Sequence, residues 1–243
     1  MENILIGRES IDSGIINLKS VDSLRLFLEE WDQDYIAKQN DIPLFDPQLT
    51  GKWSAEQKKY FAKVFYHARG HFHGFLWYMG NHAPDAESKK MVLHNIAEEF
   101  SLNGRSHEQL YIDFAKSLGA DLSNEFANEE HHLPFIKDFN KGHLEWLSTH
   151  DWPSCMAAFS AYERLDNVDY SKLVELAKSL GAQKRGLVFF NVHIVVEHFE
   201  TTLNSVIDIW KNNQEIIKEA FNFVKEHQIT MWKNLSNTMF NYA

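Results

Sequence analysis

The chain has 243 residues, a formal net charge of −10 at pH 7, 44% hydrophobic and 14% aromatic residues, and only 11 glycines and 5 prolines. The acidic balance argues against general nucleic-acid binding, because phosphate affinity depends on clustered Lys and Arg. No apolar run approaches the roughly 18 residues that cross a bilayer, the single cysteine cannot form an internal disulfide, and the amino-terminal residues lack a signal-peptide pattern. These features predict one soluble domain over residues 1–243 with a cytoplasmic location, and neither nucleic acid nor membrane as a partner.

Helical spacing of apolar residues begins after an irregular start. Residues 1–20 have a mixed pattern and are predicted to be an extended or loosely docked lead-in, and a first helix is expected from near Ser23. After a segment that contains two prolines and a glycine, Ser54 occupies the N-cap position of a long aromatic helix that runs to about Gly80.

The rest of the chain continues this helical pattern. Two helices are separated at Gly104, and the second ends at Gly119. A core helix begins after Pro153, an amphipathic helix ends at Gly181, and a long or twice-bent helical run begins near Arg185. We therefore predict an all-α bundle of about seven to nine helices.

The most informative segment is FFNVHIVVEHFETTLNSV. On a helix, His193, Glu197 and Glu200 lie at positions i, i+4 and i+7 and share one face within an otherwise apolar segment. Burial of ionisable groups is costly, and metal coordination is one common way to offset that cost. The alternative is that this face simply meets solvent.

Two further segments supply the same types of side chain. The acidic pair Glu98 and Glu99 precedes His107 across the break at Gly104, and Glu163 lies at the edge of the core helix. Helical bundles bind paired iron or manganese with carboxylates and histidines that project inward from several helices. Taken in order, the three segments predict a metal site.

The order EE…H followed by LYIDFAKSLGA, then AYE, then FF..H...E, resembles the CADD-like branch of the TenA/PqqC superfamily over roughly residues 55–210. The resemblance implies a haem-oxygenase-like helical fold and a non-haem di-iron, or iron–manganese, oxygenase or oxidase that activates O2. It also implies that the first carboxylate ligand is Glu98, with Glu99 as an alternative one residue away, that the first histidine is His107, and that the bridging carboxylate is Glu163.

The last motif of the family is His, three residues, Asp, two residues, His, and this chain has His193, Glu197 and Glu200 at those positions. Because the final His is absent, Glu200 serves as a ligand, or His198 turns inward, or one metal is bound weakly or not at all. His198 lies about 100° around the helix from Glu197, which favours Glu200.

The resemblance implies further parts of the site. A small organic substrate and an electron donor of unknown identity are expected, and a homodimer is the common assembly for soluble enzymes. Tyr162, Asn95 and Asn191 are candidates to orient the ligands.

Several other residues invite chemistry. The cluster His67, His71, His73 and His82 suggests haem or metal, but its aromatic neighbours favour a core or cavity-lining helix, and the polar run 129–132 is expected to be solvated. A rival interpretation is a metal-free oxidase or hydrolase that uses acid–base residues or Cys155, whose position at a helix start would lower its pKa. A second rival is a catalytically silent binding protein that kept the fold.

Overall fold

The computed structural model describes residues 8–100, 104–195 and 199–242, and it describes side chains from residue 21 onward except at 71 and 195. These residues form helices and no strand, which confirms the predicted all-α class. Among them, no helix is both long enough and apolar enough to cross a bilayer. In chain order the helices are α1 (Arg8–Asn40), a 3-10 turn (Pro43–Phe45), α2 (Pro47–Thr50), α3 (Ala55–Arg69), α4 (His71–His82), α5 (Ala86–Phe100), α6 (His107–Ser117), α7 (Ser123–Asn128), α8 (Pro134–Thr149), α9 (Trp152–Ser179), α10 (Val188–Val195), α11 (Phe199–Asn212) and α12 (Gln214–Phe240).

The helix boundaries differ from the prediction at several places, and the predicted core and amphipathic helices are one helix, α9. Helix α1 begins at Arg8, so residues 8–20 are helical and not extended, while residues 1–7 lie outside the described part. No proline interrupts this stretch, and a helix anchored by buried Leu24 can propagate back along it. The described residues also form more helices than the predicted seven to nine, because the aromatic helix divides at Gly70 and short helices fill the connections.

The predicted helix ends are confirmed where a cap was recognised. Ser54 and Gln57 form a capping box at the start of α3. At the end of α6, Gly119 has a φ of 78°, and the amide of Ala120 donates to the carbonyl of Ala115 at 2.9 Å. The left-handed backbone at this position requires glycine and closes the last turn of the helix.

Helix α9 lies at the centre of the bundle and packs against α8, α10, α11 and α12. Every residue from Cys155 to Glu163 on α9 is buried, which is unusual for a helix with only one apolar face. Ala157, Ala158 and Ala161 are small enough for neighbouring helices to approach on several sides. The carboxylate of Glu163 is thereby carried into the middle of the core, where charge is costly unless it is compensated.

Candidate metal centre

Three side chains from three helices converge inside the bundle. One donor atom from each of Glu99, His107 and His193 lies within 4.8 Å of the other two. The Nδ1 of His107 lies 3.0 Å from Oε1 of Glu99, and the rings of His107 and His193 are 4.5 Å apart between centroids. His193 is buried, and the other two are mostly buried. This trio joins α5, α6 and α10 and contains residues of two of the three sequence segments, while Glu163 of the third segment is not part of it.

The position of His107 follows from the local sequence. Ser106 and Gln109 form a capping box, so α6 begins at His107 immediately after the connection that contains Gly104. Glu99 lies one residue before the end of α5, and the two helix ends meet at their side chains. Glu98, in contrast, is 39% exposed and lies 3.5 Å from His94 on the same helix. The structure therefore brings Glu99, rather than Glu98, to His107.

The imidazole of His193 is held in a defined orientation. Its Nδ1 donates to the carbonyl oxygen of Phe189 at 2.7 Å, because a carbonyl can only accept. The ring stacks on Tyr170 with 3.9 Å between centroids and 5° between planes. With the proton on Nδ1, the neutral ring carries its lone pair on Nε2, as a metal-binding histidine requires.

Electrostatics keep Glu99 ionised although it is buried. Burial would raise its pKa, but hydrogen bonds from His107 and His73 hold the pKa of this carboxyl well below its usual range. His73, on α4, approaches Oε2 of Glu99 at 3.4 Å. Glu99 is therefore a charged acceptor with an imidazole on each oxygen.

Two more carboxylates lie near this cluster on the central helix. Glu163 and Asp166 are one turn apart on α9, and neither makes a hydrogen bond to another described residue. Burial raises the pKa of both carboxyls well above the usual range, and negative charge on Glu99 raises it further. A carboxyl removed from solvent is costly when it receives no hydrogen bond, so with respect to the described residues a proton or a cation would stabilise both side chains.

A small cavity adjoins the cluster, with a volume of about 70 Å³. Glu99, His193 and Asp166 contribute to its wall, and Asp169 lies on it as well. Asp169 accepts hydrogen bonds from side chains of α1 and α12, which are Tyr35 at 2.6 Å, Gln39 at 2.6 Å, Gln228 at 3.0 Å and Trp232 at 3.1 Å. Burial raises the pKa of Asp169 to about 7, against the effect of these donors.

Other predicted site residues lie elsewhere. Glu197 and the alternative ligand His198 are outside the described residues, and Glu200, in the first turn of α11, is exposed. Of the candidates for orienting ligands, Tyr162 lines the cavity and contacts His143. Asn95 donates to the carbonyl of Met91 on its own helix, and Asn191 is exposed.

The other histidines noted in the sequence contact a buried glutamate or a backbone carbonyl. His67 lies 3.0 Å from the buried carboxylate of Glu125. The same carboxylate accepts from the backbone amide and the Nδ1 of His131, at 2.9 and 2.7 Å. The expectation that the run 129–132 is solvated is therefore wrong for His131, which contacts Glu125, and for His132, whose ring stacks on His67 with 4.7 Å between centroids. His82 bonds to the carbonyl of Tyr78, and the side chain of His71 is not described.

Cys155 does not have the properties of a nucleophile. It lies in the first turn of α9 and is buried, and its Sγ donates to the carbonyl of Leu147 at 3.5 Å. Burial raises the pKa of the thiol to about 11, aided by the charge of Asp151. The predicted lowering by the helix dipole is wrong, because desolvation and a nearby carboxylate outweigh it.

Sequence reasoning missed three residues at the site. Asp166 could have been found, because it lies at i+3 from Glu163 and so shares a face of α9. His73 was considered only as part of a histidine-rich helix. Arg69, at the end of α3, lines the cavity, and no local signal distinguishes it from an ordinary basic residue in a last helical turn.

Comparison with known proteins identifies the family and the fold of the chain. A family model described as iron-containing redox enzyme matches residues 59–224. A crystal structure of a CADD-like protein of unknown function from Nostoc punctiforme PCC 73102 aligns with a TM-score of 0.68 at 17% identity and covers 87% of this chain and 98% of its own. A second structure of a CADD-like protein from that organism gives 0.66 at 16% identity, with 88% and 96% covered. No curated protein sequence matches the chain. The predicted CADD-like resemblance and haem-oxygenase-like fold are confirmed.

Proposed function

Because the chain belongs to the family of iron-containing redox enzymes, we propose that it is a non-haem iron oxidase or oxygenase that uses O2 to oxidise a small organic molecule. The observation that carries the proposal is the convergence of Glu99, His107 and His193 from three helices within 4.8 Å. A carboxylate with two imidazoles is a common donor set for non-haem iron.

The residues present fit such a metal. Glu99 is ionised, and the protonation of His193 directs its lone pair away from the backbone. Glu163 and Asp166, which receive no hydrogen bond from another described residue, add hard oxygen donors near the trio. A divalent cation would offset the cost of burying these acids, whereas a solvent-facing cluster would need no such compensation.

Two metal ions, as di-iron or iron–manganese, are the finer part of the proposal. Glu163 is the carboxylate that we expect to bridge the ions, and Asp166 is a further candidate donor on the same face of α9. The last histidine of the family motif is replaced in this chain by Glu200, which is exposed. Asp166 could supply an oxygen donor in place of that histidine. Glu197 keeps its predicted role as a ligand, although it lies outside the described residues.

Bound iron would supply the redox change that O2 activation requires. The chain's own contribution is to hold and orient the donors and to exclude bulk water. Phe189 and Tyr170 fix the plane of His193, and apolar side chains form much of the cavity wall. A cavity of about 70 Å³ suits a small substrate, since a single water needs about 10–15 Å³ by the same measure. Electrons would come from a separate donor.

Metal content after anaerobic loading with ferrous iron tests the proposal. Wild type is expected to retain iron through gel filtration and to take up O2 faster than an equal concentration of iron in buffer. His193→Ala is expected to lose most of that iron because a donor is removed. His131→Ala is the matched control, since His131 also contacts a buried glutamate but lies in the other cluster. Equal iron in wild type and His193→Ala would overturn the assignment.

The metal-free rival makes the opposite prediction. It requires activity that survives chelators and fails either in Cys155→Ala or on replacement of an acid–base pair. Because the thiol is buried and protonated, we expect Cys155→Ala to leave activity unchanged.

A further inference from the structure

Arg69 is a cation in the wall of the cavity that contains Glu99 and His193. Its guanidinium carbon lies 5.2 Å from the centroid of the Tyr66 ring, 5.0 Å from Tyr111 and 5.8 Å from Phe189. Its Nε is buried and makes no hydrogen bond within the part of the chain that the structure describes. The three rings stabilise the charge, but they accept none of the directed hydrogen bonds that a guanidinium can donate.

The other arginines whose side chains are described all have a carboxylate partner. Arg25, Arg105, Arg164 and Arg185 each lie within 2.7 Å of an Asp or Glu oxygen. These four pairs lie at or near the surface, where a partner is least needed. Among the described residues, only Arg69, which borders the cavity, lacks one, so its N–H groups are available to something that enters the cavity.

The carboxylates of the cavity wall accept hydrogen bonds from other side chains or form no ion pair with Arg69. Glu99 has an imidazole on each oxygen, and Asp169 receives donors from α1 and α12. Asp166 lines the cavity and forms no ion pair with Arg69. An acceptor for the guanidinium is therefore expected to come from a ligand.

The chemistry of the cavity limits what that ligand is. A guanidinium matches a carboxylate with two parallel hydrogen bonds, and the aromatic contacts hold its plane in place. The cavity volume of about 70 Å³ favours a small ligand. Most of the remaining wall is apolar and consists of Phe65, Phe72, Leu165, Leu173, Phe189 and Met231.

We propose that Arg69 binds the carboxylate of the substrate, which is a small organic acid with an apolar body. This inference rests on the proposed function, because it places the acid beside the iron ligands Glu99 and His193. The carboxylate would anchor one end of the molecule at Arg69, while its carbon atoms lie against the apolar wall. Arg69 would thus determine which class of substrate is accepted.

Binding of butanoate and of its neutral isostere butanamide tests the proposal, measured by ligand-observed NMR on protein loaded anaerobically with ferrous iron and on protein as purified. Wild type is expected to bind butanoate at least tenfold more tightly than butanamide in both forms. Arg69→Met is expected to lose that preference, and Arg69→Lys to retain part of it as a point charge. Arg185→Met, which removes an exposed arginine paired with Asp113, should bind like wild type.

Iron content and thermal unfolding of each variant separate this proposal from the preceding one. Arg69→Met is expected to hold as much iron as wild type and to unfold at a similar temperature. If wild type binds no butanoate, or binds both probes equally, or if Arg69→Met keeps the preference, the anchor role is refuted whatever the iron content. Loss of iron from wild type would instead refute the metal assignment and leave the comparison in the purified protein intact.

Discussion

Glu125 forms a second carboxylate–histidine cluster with His67 and His131. Its removal is predicted to be among the most destabilising single changes in the bundle. Its side chain is fully buried and accepts three hydrogen bonds, from His67 and from the amide and ring of His131. These donors hold its pKa below the usual range although burial acts to raise it. Glu125→Ala would leave buried donors unsatisfied, at a cost of about 3–5 kcal/mol.

Urea unfolding followed by circular dichroism measures this cost directly. For a chain of this size the expected loss corresponds to a melting temperature lower by about 6–20 °C. Glu125→Gln keeps one acceptor oxygen and is expected to lose about half as much. Glu130→Ala, an exposed glutamate in the same cluster, should change stability by less than about 0.5 kcal/mol. If Glu125→Ala and Glu130→Ala unfold alike, the cluster does not stabilise the fold as argued.

Three further predictions follow from the structure. In Gly142→Ala the new Cβ would lie 2.6 Å from the His227 ring, so we expect the free energy of unfolding in urea to fall by about 1–3 kcal/mol. An unchanged urea midpoint would contradict this close packing. Iodoacetamide at pH 8 should leave native Cys155 unmodified and alkylate it in urea, as mass spectrometry would detect; rapid native labelling would mean that the thiol is neither buried nor protonated. Burial lowers the pKa of His67 from its ordinary value of 6.5, so the unfolded chain binds the proton more readily and the free energy of unfolding should fall as pH drops below about 6.5. A further loss is expected once pH falls through the lowered pKa of Glu125. A flat profile between pH 7 and 5, or the same slope in a His67→Asn variant, would refute this.

Local signals predicted the helix ends because each depends on only a few neighbouring residues. Ser54 with Gln57, and Gly119 after a basic last turn, are patterns that specify a cap without tertiary contacts. The start of α1 could not be predicted in this way, because residues 8–20 carry no strong apolar stripe and follow the helix that Leu24 and later residues anchor.

The site was predictable in its residue types but not in its register. Glu98 and Glu99 are adjacent, and only the packing of α5 against α4 and α6 decides which one faces inward. His107 and His193 were found because they belong to motifs with recognisable order. Arg69 was not, since its significance comes from a cavity formed by distant helices and from the absence of a carboxylate partner among the described residues.

Asp169 illustrates the same limit. Nothing in DNVDY identifies it as the acceptor for side chains from both ends of the chain. Its role depends on contacts between α1, α9 and α12 that only the folded structure establishes. Long-range hydrogen-bond networks of this kind leave no local pattern in the sequence.

Mössbauer spectroscopy of protein loaded anaerobically with ⁵⁷Fe tests the central claim most directly. We expect high-spin ferrous iron with nitrogen and oxygen ligands in wild type. That signal should be lost in both Glu99→Ala and His193→Ala and retained in His131→Ala. A wild-type spectrum no different from iron in buffer, or one that survives loss of Glu99 and His193, would contradict it.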